Sequence, residues 1–211
     1  MLSYRYPRVE KEFYQGEDVL HIAKALLGKY LCTYIEGGLS VGKIVETEAY
    51  CHQNDRACHA HLQRRTKRTE IMYAAGGVAY VYLCYGIHAL FNVITNEAQK
   101  ADAVLIRAIE PVEGIDLMLQ RRGLSQLQYR LSSGPGTMSQ ALGISTMHYG
   151  TDLSGELIWI EEGERTYTPE EIQADARVGI AYAGADALLP WRFRIKDNPW
   201  CGRGQALYPQ K

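Results

Sequence analysis

The sequence predicts an α+β protein with a mostly antiparallel sheet, on three observations. Its β-rich runs are joined by hairpin-length connections more often than by helical crossovers. Glycine, asparagine and glutamate bound those runs, as turn residues do. Hydrophobic content of 46% against 22% charged residues is that of an ordinary globular chain and too apolar for disorder. At 211 residues, with no linker, repeat or low-complexity tract, the chain reads as one domain over 1–211.

Taken in order, "GEDVLHIAKALLGKY" sets apolar residues at 19, 22, 23, 26, 27 and 30, a helical stripe with Asp18 as its cap. "KYLCTYI", the turn Glu36-Gly37-Gly38 and "LSVGKIVETEAY" read as a β-hairpin. "GGVAYVYLCYG", "LFNVIT" and "DAVLIRAIE" are further strands. Residues 111–122 open on Pro111, suited to a first helical position, and predict a helix. "TPEEIQADA" carries Thr168, Pro169 and Glu171 in capping-box order and predicts another. "RVGIAY" and "RFRI" are expected late strands.

Composition narrows the function. No apolar run approaches the ~18 residues of a membrane span, and "MLSYRYPRVEKEF" lacks a signal-peptide core. Five cysteines without regular spacing fit reduced thiols in an intracellular protein, cytoplasmic or in the nucleoid of a prokaryote or nuclear in a eukaryote. A net charge of −1 does not advertise a nucleic-acid binder, yet a local basic patch suffices for one. Fifteen Tyr against three Phe favour half-wet surfaces or faces that stack on planar ligands.

"YCHQNDRACHAH" (50–61) tests a metal reading. Zinc sites favour C-x2–4-C or H-x3–5-H bites. Here Cys51 and Cys58 are six residues apart, His59 and His61 only one, and Cys32, Cys84 and Cys201 stand alone. The spacing predicts no metal site.

In "VETEAY" an extended strand puts Glu46, Glu48 and Tyr50 on one face. Either that face is solvated, or one carboxylate sits in a pocket as a general base, with His59 close enough to fold back onto the strand end. In "YVYLCYGIH", Tyr80 and Tyr82 share a face and Val81 and Leu83 point to the other, toward the core. Tyr85 breaks that parity before Gly86 and belongs at a turn, where an exposed aromatic calls for a ligand. "RRTKRT" (Arg64, Arg65, Lys67, Arg68) is the densest basic run, a solvated loop or a set of phosphate contacts.

The succession "LLGKYL", "GKIVETEAY", a His nine residues after Tyr50, "RRTKRT..MY", "YVYLCYGIH.LFNV", "AVLIRAIEP.EG", "SSGPG...QALGI", "ARVGIAYAG" and "RFRIKDNPW" resembles the alkyladenine (3-methyladenine, methylpurine-type) DNA glycosylase family from about residue 12 to about 200. The chain departs from that pattern at Ala75-Gly76-Gly77, where Pro-Gly is expected, and at Thr69, where Asn is. The fold implied is a curved antiparallel sheet flanked by helices, with a protruding hairpin.

What the resemblance implies is removal of alkylated or deaminated purines from double-stranded DNA, by flipping the nucleotide out of the stack and hydrolysing its N-glycosidic bond. On that pattern Glu48 is the general base and Arg107 helps hold the water. Tyr50 and Tyr82 sandwich the flipped base, with His59 at its edge. Asn92 disfavours guanine, and Ile180 and Ala181 supply pocket wall. Tyr85 intercalates, and Arg64, Arg65 and Arg68 meet the DNA backbone. No Lys occupies a nucleophile position in the matched motifs, so base release without strand cleavage is expected, with no cofactor and no metal; a monomer suits a protein that scans DNA. Two rivals stay open from the residues alone. One is a noncatalytic DNA-binding module that keeps the Tyr wedge and makes no use of Glu48. The other is a zinc deaminase, which needs H-x-E and P-C-x-x-C patterns this chain lacks.

Overall fold

A computed structural model of the chain describes residues 5–202. The predicted hairpin is β1 (Tyr30–Ile35) and β2 (Gly38–Tyr50). Glu36 and Gly37 between them both hold positive φ, 55° and 76°, as a two-residue type I′ turn requires. Next come β3 (Ala79–Cys84), β4 (His88–Thr95) and β5 (Asp102–Glu113), an antiparallel meander. β5 then runs beside β2, and β6 (Ile158–Glu161) pairs with β1, giving the order β3-β4-β5-β2-β1-β6. Past the end of β1, the free edge of β2 is taken over by β8 (Arg192–Ile195), with β7 (Ile172–Asp175) outside it. Every pairing between these strands is antiparallel, as the short connections predict.

The helices are α1 (Lys11–Tyr14), α2 (Val19–Ala25), α3 (Ile115–Arg122) and α4 (Pro135–Ala141). Asp18 caps α2 as expected, its carboxylate accepting from the Leu20 and His21 amides at 2.9 and 3.1 Å. α2 and α4 pack on β2, β4 and β5. The main core includes Ile22, Val45, Ala49, Val81, Phe91, Val93, Ile106 and Met138, so odd positions of β2 from Val45 on, of β3 and of β4, and even positions of β5, point into it. On β2, β3 and β4 the even positions Glu46, Glu48, Tyr50, Tyr80, Tyr82 and Asn92 are left for the opposite face.

Several expectations are corrected. Pro111 lies in β5, opposite Gly42 and next to a register shift, where a missing ladder donor costs little. The helix begins at Ile115, after Gly114, whose φ is 70° and where a Cβ would sit 2.1 Å from the Leu39 carbonyl oxygen. "TPEEIQADA" does form its capping box, but only a 3₁₀ turn follows, Pro169–Glu171. The chain from Ile172 pairs with β8 instead, so sheet pairing outweighs a local cap. "RVGIAY" is not a strand: after Gly179 (φ 77°) it enters the 3₁₀ segment Ala181–Leu188. Leu83 is not core but 49% exposed, because the hairpin protrudes beyond the helices. β6 and α4 went unpredicted as elements.

Candidate active site

The site is built on a break in the sheet. Along the β2–β5 ladder Ile44 faces Ile109, Glu46 faces Ala108 and Thr47 faces Ile106, so Val45 and Arg107 are each an extra residue. Such bulges re-aim side chains. Here Arg107 turns toward both strand carboxylates: its Nε donates to Glu46 Oε1 at 2.8 Å, and its Nη1 lies 3.2 Å from Glu48 Oε1. The two glutamates are fully buried, which rules out the solvated-face reading. Burial alone would pull the guanidinium of Arg107 down, but Glu48 and Glu46 outweigh it and hold it above its ordinary value.

Around Glu48 the partners converge. The Tyr50 hydroxyl donates to Oε2 at 2.7 Å, and the Val178 amide donates to Oε1 at 2.8 Å. Burial and the neighbouring carboxylate push the Tyr50 phenol well up, so it stays a donor. Glu46 is served differently, by Arg107 and by the Gly202 amide at 2.6 Å. A carboxylate offers about four acceptor positions. On Glu48, Oε1 uses two and Oε2 one, which leaves Oε2 a position for a further donor.

The aromatic wall comes from β3 and from the loop after β2. Tyr80 and Tyr82 stack at 5.3 Å between centroids, and His59 meets Tyr82 edge-on at 4.7 Å. His59 Nδ1 lies 2.8 Å from the Tyr80 hydroxyl. Burial, then Arg68 and Arg64, lower the His59 pKa to about 4, so the imidazole is neutral at pH 7. Asn92, buried, donates from Nδ2 to the Tyr80 carbonyl at 3.0 Å. Ile180 packs with Ala57 and Ala183 against the Tyr50 ring, and Ala181 is exposed.

Tyr50 is held from behind by a buried ion pair. Arg177 makes a two-pronged contact with Asp55, at 2.7 and 2.8 Å, and donates to the Ala49 carbonyl. Its guanidinium sits 4.8 Å from the Tyr50 ring centroid and 5.0 Å from that of Trp191. Asp55 also accepts from the Cys51 and Ala57 amides, fixing the loop that carries His59. Sequence reasoning missed this clamp, and Tyr80 and Val178 with it. Its partners are 122 residues apart, and only the parity of Tyr80 with Tyr82 gave a signal.

Beside His59 lies a cleft of about 690 Å³ whose walls also include Arg56, Leu62, Arg64, Arg68 and Tyr182. The predicted basic run divides here. Arg64 and Arg68 face the cleft, the latter 5.5 Å above the Tyr82 ring. Arg65 turns away, stacking on Tyr73 at 4.1 Å and meeting Glu70 and Gln99. Thr69, one of the departures from the family pattern, ties this loop down by donating to the Arg64 carbonyl at 3.0 Å. Gly76, another, allows close approach to α1: a Cβ there would lie 2.2 Å from the Tyr14 carbonyl oxygen. Tyr85 stands at the hairpin tip, 86% exposed, with φ 50° beside Gly86 at 73°.

The Cys/His stretch does bring Cys51, His52 and Asp102 together, with possible ligand atoms within 4.8 Å of one another. Asp102 there accepts the His52 amide at 2.7 Å and the Asn96 side chain at 2.9 Å. Those bonds make it a staple between the end of β2 and the start of β5.

An antiparallel sheet that buries a carboxylate–arginine centre beneath an aromatic wall, with a basic cleft beside His59, defines a class of site suited to a flat, uncharged or cationic ring. The sequence comparisons supply the lineage. Residues 12–199 match the family model for methylpurine-DNA glycosylase. The chain is similar to proteins named "Putative 3-methyladenine DNA glycosylase": 45% identical to that of Chlamydia felis over 88% of this chain and 94% of the relative. It is 46% identical to that of Carboxydothermus hydrogenoformans over 92% and 97%, and 41% identical to that of Alkaliphilus oremlandii over 93% and 99%. The chain belongs to the methylpurine-DNA glycosylase family and is a DNA repair enzyme, a hydrolase of N-glycosyl bonds acting on DNA. Among the described residues no helix is long and apolar enough to cross a membrane.

Proposed function

We propose that the enzyme removes alkylated or deaminated purines from duplex DNA with a single water aimed by Glu48, leaving an abasic site and an uncut strand. The damaged nucleotide rotates into the pocket, at a cost of a few kcal/mol of stacking and pairing. Tyr85 fills the space it leaves. The purine lies between Tyr50 and Tyr82, where stacking returns about 1–3 kcal/mol and tolerates different lesions.

A water on the remaining acceptor position of Glu48 Oε2 gives its proton to the carboxylate as its oxygen bonds to the sugar C1′. The C1′–N bond breaks and its electron pair leaves with the base. Glu48 also offsets the positive charge that grows on the sugar. An N3- or N7-methylated purine already carries that charge and leaves as a neutral base. A neutral lesion needs a donor at its edge. With Tyr80 donating to Nδ1, neutral His59 keeps its proton on Nε2 for that purpose. Arg107 holds Glu48 in place, Asn92 disfavours guanine's exocyclic amine, and Ile180 and Ala181 close the pocket. Arg64 and Arg68 meet phosphates at the cleft.

The observation that carries this reading is the fully buried Glu48, bonded to Tyr50 within the aromatic wall. In Glu48→Gln, release of 3-methyladenine from dimethyl-sulfate-treated duplex falls by about 10²–10⁴-fold, while affinity for the same DNA is kept. Loss of activity in Glu46→Gln with Glu48→Gln still active reverses the assignment. Parallel duplexes carrying 7-methylguanine, hypoxanthine or ethenoadenine rank the substrates.

A further inference from the structure

Between His59 and the basic run, Leu62 and Gln63 both hold left-handed backbone, φ 56° and 57°. That region suits glycine and strains a residue with a Cβ. Leu62 is moreover 84% exposed, so its side chain gains little from the protein's own core. Both features are unfavourable in the isolated protein, and strained non-glycine residues of this kind cluster at ligand clamps. Leu62 also lines the same cleft as His59, Arg64 and Arg68. A polyanion drawn to those cations meets Leu62 on the way to the base pocket, and apolar side chains of this kind pry base steps apart.

We propose that Leu62 is a second wedge, pressed between base pairs next to the lesion while Tyr85 occupies the vacated position. The proposal rests on the glycosylase reading above. The left-handed backbone turns the side chain out of the protein, where duplex DNA, an occupant of complementary charge, can take it.

The test compares wild type, Leu62→Gly and Leu62→Asn for 3-methyladenine release from dimethyl-sulfate-treated duplex, for salt dependence of binding and for melting temperature. Glycine and asparagine both accept the left-handed backbone, and neither can wedge. Both variants are expected to melt at or above the wild-type temperature yet lose about tenfold in kcat/KM. Their salt slope stays that of the wild type, since no cation is removed. Activity within twofold of wild type overturns the wedge and leaves the glycosylase reading standing. Lower melting temperatures in both variants also overturn it, because the strain premise is then wrong. A wild-type protein that releases no base overturns the glycosylase reading and the wedge together.

Discussion

The buried floor beneath the aromatic wall and the exposed rim beyond it are built in opposite ways. On the floor Glu46, Glu48, Arg107, Asp55 and Arg177 are all buried, and each charge faces an opposite one within about hydrogen-bonding distance. On the rim Leu62, Gln63 and Tyr85 hold left-handed backbone and lie exposed. Under the proposed mechanism the floor must not move, because a carboxylate that aims a water tolerates little displacement. The rim meets a partner that arrives from outside, and its unfavourable features are those a bound duplex can relieve. Order and strain thus divide along the path a nucleotide would take.

The largest effect comes from breaking the floor. Asp55→Ala leaves Arg177 buried without its counter-charge, a loss of about 3–5 kcal/mol, read as a fall in melting temperature of roughly 10 °C. Replacing the pair together by apolar residues of similar volume recovers much of that loss, which a thermal melt of the double variant measures. If Asp55→Ala melts like the wild type, the clamp behind Tyr50 contributes nothing and the floor is no more rigid than the rim.

A smaller effect lies where floor meets rim. His59 has a folded pKa of about 4 against its ordinary 6.5, so below pH 6.5 the unfolded chain binds a proton that the folded chain refuses. The stability in question is fully present above pH 6.5 and lost as pH falls toward 4, on the order of 3 kcal/mol in all. Denaturant midpoints of wild type and His59→Gln therefore approach each other as pH falls through that window. Parallel curves mean the imidazole is not held neutral.

The smallest effect is on the rim. Arg64→Ala lowers the slope of log affinity against log salt by about one unit. Arg65→Ala leaves that slope unchanged, because Arg65 is already engaged with Glu70, Gln99 and Tyr73. Equal slopes in the two variants remove the distinction between cleft-facing and inward-turned cations.

The legibility of the chain followed the same division. The hairpin turn, the Asp18 cap, the shared face of Glu46, Glu48 and Tyr50, and the parity break at Tyr85 were all readable, because each rests on periodicity or turn chemistry within a few residues. What was not readable depends on distant pairing. The bulge that aims Arg107 exists only in register with β2. Asp55 and Arg177 meet only after the sheet has formed. "TPEEIQADA" and Pro111 misled for the complementary reason: their local helix signals are real, and strand pairing overrode them. The split of the basic run into Arg64 and Arg68 on one side and Arg65 on the other follows from loop geometry pinned by Thr69, which composition does not encode.

The Val178 amide reaches back 130 positions to Glu48, and the Gly202 amide reaches back 156 to Glu46. A nascent chain that has emerged only as far as the Tyr-rich hairpin already owns its carboxylates, its stacking rings and its cations, but lacks the late donors that hold those carboxylates still. The centre is therefore completed only by segments far downstream of its carboxylates, and a fragment that stops short of Val178 lacks the donor that fixes Glu48.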